Sequence, residues 1–261
     1  MTAYSPYLQQ IDDLVGQHVL AISAFFHKDR QVPFGVAAAK GFGSGFLIKH
    51  PKGVVLSTAE HVARQAVEEK IVFLKIGDTM LSLERQQFLF DAKVDVAMSL
   101  FTFEQLEREE VNNFTAIEMP SRTNPDIQSG FCAVVGCPST RNKLDQRFKG
   151  KRPRVFSMTL EKANVTAFAG TNIPAPLLLH YEPKGMIAGA NLPENGAPSD
   201  LHGMSGGPIF DVCVSAPQNR DDQTAMGFRF RLAGMSVEWH EADRLVVGTR
   251  MEVLREMMQL L

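Results

Sequence analysis

Gly203-Met204-Ser205-Gly206-Gly207-Pro208 is the stretch whose reading decides the fold. Glycines on both sides of a serine allow backbone conformations closed to other residues and let a second molecule approach closely. A serine hydroxyl is a weak nucleophile, so such a turn carries chemistry only beside a base and an acid that orients it. Both are found upstream. The base candidate is His61, in Leu56-Ser57-Thr58-Ala59-Glu60-His61-Val62, and the acid candidate is Asp95, in Val94-Asp95-Val96-Ala97-Met98. His180, His202 and the other histidines lack that apolar, threonine-alanine setting. Asp91 is the rival to Asp95, but only Asp95 leads directly into an apolar run. Ser199 and Ser236, the rivals to Ser205, have no flanking glycines.

Around this core the sequence reads as all-β. Short β-patterned runs recur between glycine, proline and polar turns: 19–26, 45–48, 53–56, 71–76, 94–101, 131–135, 155–160, 177–180, 208–212, 228–235 and 245–247. No repeat period is present, which disfavours a propeller or solenoid. Helical spacing is confined to 60–69, 103–111 and 250–261. In the last of these, Met251, Val253, Leu254, Met257, Met258 and Leu261 form an apolar face expected to pack on the core. A cluster of Pro120, Asn124, Pro125 and Gly130 predicts a divide. Residues 1–120 then carry His61 and Asp95, and residues 121–261 carry Ser205 and the C-terminal helix.

Four patches resemble the trypsin/chymotrypsin-like serine peptidases: Gly43-Ser44-Gly45-Phe46-Leu47-Ile48, Thr58-Ala59-Glu60-His61-Val62, Asp95-Val96-Ala97 and the stretch from Gly203 to Pro208. The order His, Asp, Ser is that of chymotrypsin and differs from the Ser, acid, His order of α/β-hydrolases, so an esterase on that scaffold is disfavoured. The resemblance covers roughly residues 35–261. It is closer to bacterial, disulfide-free stress-protease-like domains than to secreted digestive enzymes. It implies two packed antiparallel six-stranded β-barrels with a C-terminal helix and the three residues in the cleft between them. It further implies a serine endopeptidase working through an acyl-enzyme, with the N–H groups of Gly203 and Ser205 as oxyanion donors. The competing reading is a latent or inactive fold acting as a protein-binding module.

The resemblance is imperfect at two places. Met204 stands where many secreted members carry an aspartate that pairs with a new N-terminus, so that activation does not carry over. Glu60 stands beside His61 where a small residue is common, and could raise the histidine's pKa or face solvent. The resemblance draws the substrate pocket from Ser199, Asp200, His202, Val237 and Glu238, with a preference for uncharged or basic side chains.

The 261 residues suit one sizeable domain or two small ones. Apolar residues make up 44% and charged ones 21%, as in soluble globular proteins. A formal charge of −2 exerts no global pull on nucleic acid or anionic lipid. No apolar run approaches the ~20 residues of a membrane span, and the first thirty residues do not read as a secretory signal. The three cysteines, Cys132, Cys137 and Cys213, are too few for a secreted disulfide framework, so a reducing, cytoplasmic setting is expected. They read as buried thiols, with no metal site and no cofactor. The expected partner is a protein or peptide substrate. The basic run 141–154 reads first as a solvated loop, with docking of an acidic regulatory protein or self-cleavage as the sharper alternatives. With only Phe148 to stack, nucleic acid is disfavoured.

Overall fold

The computed structural model describes residues 20–26, 38–68, 72–76, 79–83, 86–112, 114–120, 130–138, 156–164, 168–181, 201–215 and 227–261. The N-terminal half contributes β1 (Leu20–Phe26), β2 (Ala38–His50), β3 (Gly53–Thr58), α1 (Glu60–Glu68), β4 (Val72–Ile76), β5 (Thr79–Ser82), β6 (Leu89–Asp91), β7 (Val96–Thr102), α2 (Phe103–Arg108) and β8 (Ala116–Ile117). The C-terminal half contributes β9 (Phe131–Gly136), β10 (Phe156–Lys162), β11 (Leu177–His180), β12 (Pro208–Ser215), β13 (Gly227–His240), β14 (Leu245–Arg250) and α3 (Met251–Met258).

β9 to β14 form a closed six-stranded barrel in the order β10-β11-β14-β13-β12-β9. Each of its strands pairs on both sides along part of its length. Its interior follows strand alternation: Phe156, Met158 and Leu160 of β10 point inward with Cys132 and Val134 of β9 and Ile209 of β12. The same alternation turns Lys162 and Asp211 inward. Lys162 Nζ lies 2.7 Å from Asp211 Oδ1 and Arg231 lies 2.8 Å from Asp211 Oδ2, so a buried carboxylate is neutralised from two sides. All three cysteines are buried free thiols. Burial above all pushes Cys132 and Cys137 up to about 12 and raises Cys213, which keeps them protonated and unreactive.

The other half forms a second sheet. It is an eight-stranded sheet in the order β5-β4-β1-β2-β3-β7-β6, with β8 pairing in parallel on β2. A second closed six-stranded barrel is not formed among the described residues. The sheet's outermost strands, β5 and β6, are four and three residues long, and among the described residues each pairs with one neighbour. β3 runs through the middle of this sheet, buried along its whole length, and its Val54, Val55 and Leu56 are nearly or fully shielded from water. Burying each such side chain is worth roughly 1.5–3 kcal/mol.

One apolar cluster joins the halves. It takes Phe46, Leu56, Val62 and Met98 from the N-terminal sheet and Val135, Phe210, Met235 and Val247 from the barrel. Met251, Leu254 and Met257 of α3 belong to it too, so the apolar face of that helix is core. The divide predicted from Pro120, Asn124, Pro125 and Gly130 falls mostly on residues outside those described, as does the basic run 141–154.

Candidate active site

Helix α1 begins one residue after β3. Its preceding residue, Ala59, has no side-chain oxygen with which to satisfy the first helical N–H groups. Asp95 supplies that cap from across the sheet. Its main-chain carbonyl accepts from Glu60 N (3.2 Å) and its Oδ1 accepts from His61 N (3.0 Å). The second carboxylate oxygen, Oδ2, accepts from His61 Nδ1 at 2.8 Å. One residue therefore caps the helix and orients the imidazole, leaving Nε2 to face outward. Asp95 reaches both positions from a left-handed turn, φ 51°, which aspartate tolerates better than most residues. Asp91 instead accepts from Lys93 N within its own turn.

The His61 side chain is half exposed (51%) and Asp95 is largely covered (17%). Burial pulls the imidazole's pKa down. The hydrogen bond to Asp95 and the charges of Asp95, Glu60 and Glu238 outweigh that pull, and the pKa stands above the ordinary histidine value. Glu60 itself is nearly buried and pairs with Arg64 one helical turn on, so it does not face open solvent.

The glycine turn is held by two serines that are not themselves in it. Ser44, fully buried on β2, donates its N–H to Ser205 O (2.8 Å) and its hydroxyl to Gly203 O (2.7 Å), and that hydroxyl also accepts from Cys137 N (2.8 Å). Ser236 of β13 donates its N–H to Gly207 O (2.9 Å) and accepts from Gly206 N (2.7 Å). Its hydroxyl proton is shared between Met204 O (2.9 Å) and Gly207 O (3.2 Å). Met204 is buried in the barrel interior. Gly206 adopts φ 89°, and a Cβ there would sit 2.1 Å from Ser44 O and 2.4 Å from Thr58 Oγ1. This contact packs the serine turn directly against the strand end that leads into His61.

With Met204, Gly206 and Gly207 N–H all occupied, the N–H groups of Gly203 and Ser205 have no hydrogen-bond partner among the described residues. Ser205 is half-buried, and its Oγ donates to Val237 O at 3.1 Å. That carbonyl is available because β13 slips its register against β14 between Ser236 and Glu238, leaving Val237 as the extra residue of a bulge. His61 and Asp95 are thus hydrogen-bonded to each other, while the Ser205 hydroxyl is hydrogen-bonded to the bulge.

Of the expected pocket residues, Ser199 and Asp200 lie outside those described, and His202 is exposed directly before the turn. Val237 is buried and offers its carbonyl. Glu238 is partly exposed, and its Oε2 accepts from His240 Nε2 at 2.8 Å. The holding roles of Ser44 and Ser236 were not anticipated. Ser44 lies in the Gly43–Ile48 patch that carries the resemblance, and Ser236 is marked only as a small polar residue inside an apolar strand, two residues after Gly234.

No family model and no curated protein matches the sequence. Solved structures do. The HtrA-type protease AlgW with decapeptide aligns over 97% of this chain and 66% of its own, with a TM-score of 0.53 at 13% identity. The fold is that of the trypsin-like serine proteases. The active form of the Rv3671c protease from M. tuberculosis aligns over 99% of this chain and 87% of its own, with a TM-score of 0.50, also at 13% identity. At such identities the likeness is one of trypsin-like fold. This chain spans about two thirds of the AlgW chain.

Proposed function

We propose that the protein is a serine endopeptidase in which Ser205 attacks a peptide carbonyl. His61 takes the serine proton and returns it to the leaving amine, and Asp95 holds the imidazole in the required tautomer and stabilises its charged form. The free N–H groups of Gly203 and Ser205 receive the developing oxyanion, each worth roughly 3–4 kcal/mol in the transition state. The observation that carries the reading is the 2.8 Å hydrogen bond between His61 Nδ1 and Asp95 Oδ2, set beside a glycine turn in which two N–H groups flanking Met204 have no partner among the described residues. AlgW is seen with a decapeptide, and a peptide is the substrate class we assign here. The second edge of residues 237–240 is unpaired among the described residues and suits an extended chain.

A second reading is favoured by one observation, the Ser205 hydroxyl on Val237 O. A fold that holds its serine there and never releases it is a binding module. The two readings part on covalent labelling by a fluorophosphonate. The peptidase is labelled at Ser205, and Ser205→Ala and His61→Ala abolish labelling. A binding module is not labelled.

A further inference from the structure

Glu238 follows directly on Val237, whose carbonyl meets the Ser205 hydroxyl, so its Cα lies about 3.8 Å from that of the residue touching the nucleophile. Trp239 turns inward, edge-on to Tyr181 with ring centroids 4.8 Å apart. Its neighbours Glu238 and His240 therefore face the other way along the strand. There Phe168 stands edge-on to the His240 ring at 4.9 Å, and His240 Nε2 holds one oxygen of the Glu238 carboxylate at 2.8 Å. The carboxylate is thus oriented rather than free to sweep. Its side chain is one-third exposed, and among the described residues no lysine or arginine pairs with it. Its charge also acts on His61. Glu238 therefore lies one residue from the carbonyl that meets Ser205, as an oriented carboxylate with no lysine or arginine partner among the described residues.

Resting on the peptidase reading, we infer that Glu238 is a specificity determinant that selects a lysine or arginine within three residues on the acyl side of the scissile bond. An extended chain with its reacting carbonyl over Ser205 advances about 3.3 Å per residue along the edge of β13. One of its first three side chains then meets the Glu238 carboxylate. A cationic side chain gains an ion pair there, a neutral one of equal length gains nothing, and an anionic one is repelled. Arginine and lysine reach furthest because their stems lie along apolar surface while the charged head seeks the carboxylate.

The test uses the full chain and fluorogenic peptides that differ only by Lys, Gln or Glu at each of the three acyl-side positions. At one position the wild type is expected to favour Lys over Gln in kcat/KM by about fivefold, the worth of one partly exposed ion pair. Added salt should reduce that ratio. In Glu238→Gln the ratio falls to near one, and in Glu238→Lys it inverts toward Glu. The two variants differ in charge, so one well-folded variant is enough to read the shift. Fluorophosphonate labelling of the same wild-type sample separates the failures. If Ser205 is labelled but the Lys:Gln ratio is the same in wild type and variants at all three positions, the Glu238 inference is overturned and the peptidase reading stands. If Ser205 is neither labelled nor able to cleave any peptide, both fall.

Discussion

The two sides of the candidate site are built to different states of readiness. On the N-terminal sheet, His61 and Asp95 are joined at 2.8 Å, and the carboxylate also caps the helix that carries the histidine. On the barrel, the turn around Ser205 is clamped by Ser44 and Ser236, yet the serine proton goes to the Val237 carbonyl at 3.1 Å. The imidazole is held by a partner on its own sheet, whereas the Ser205 hydroxyl is held by a main-chain carbonyl of the barrel, a neutral hydrogen bond worth about 1 kcal/mol. A fold can hold a backbone turn rigid and still leave a side chain on it free to choose its partner, because a serine side chain has three staggered wells.

The first way to break this comparison is at the serine. Ser205→Ala should lower kcat by roughly 10⁶-fold while leaving the thermal midpoint near that of wild type, since the turn is held by main-chain carbonyls. Peptide turnover and thermal denaturation check this. Asp95 sharpens it. Asp95→Asn keeps an oxygen for the His61 N–H but offers the imidazole the wrong partner, so kcat should fall by roughly 10⁴-fold with little loss of stability. Asp95→Ala should lose the cap as well and cost about 1 kcal/mol in denaturant titration. If Asp95→Asn and Asp95→Ala are equally unstable, the capping role is wrong.

The next contrast sets the site against the barrel. Asp211→Ala leaves Lys162 and Arg231 without their shared carboxylate at the barrel interior. It should cost about 2 kcal/mol, seen as a lower urea midpoint, because two partly buried cations lose the carboxylate they share. Ser44→Ala strands the Cys137 N–H and the Gly203 carbonyl in a buried position. It should cost about 1–3 kcal/mol of stability, again by urea titration. It should also lower kcat, because the turn loses one of its two clamps.

The smallest effect is on pH. A raised His61 pKa means the ring stays protonated, and unable to act as a base, to a higher pH than an ordinary histidine. The acid limb of kcat/KM should therefore lie above 6.5, the ordinary histidine value. Glu60→Gln should shift that limb downward, because one of the charges raising it is removed. The linked stability has the same sign. The folded pKa exceeds the unfolded one, so the His61–Asp95 ion pair contributes fully below the unfolded value. That contribution is lost as pH rises through the folded value.

Much of this architecture is readable from residue types. The runs 177–180, 131–135 and 53–56 alternate or cluster β-branched and apolar residues, and each lies within an observed strand. The apolar face of 250–261 is buried as expected. β5, β6 and β8 escape such a reading because two to four residues are too few to establish a period. In the site, the link between His61 and Asp95 is legible because both side chains carry the chemistry. The Ser205 contact with Val237 is not, since it depends on a main-chain carbonyl freed by a register slip, and any residue at position 237 presents the same oxygen.

The most direct test of the peptidase account is the site and rate of fluorophosphonate modification, read by intact mass and peptide mapping. The account predicts one adduct on Ser205, lost in Ser205→Ala and slowed at least a thousandfold in His61→Ala, since base-assisted activation is what makes the hydroxyl reactive. An adduct that persists in Ser205→Ala, or one that forms on Ser205 equally fast without His61, would contradict it.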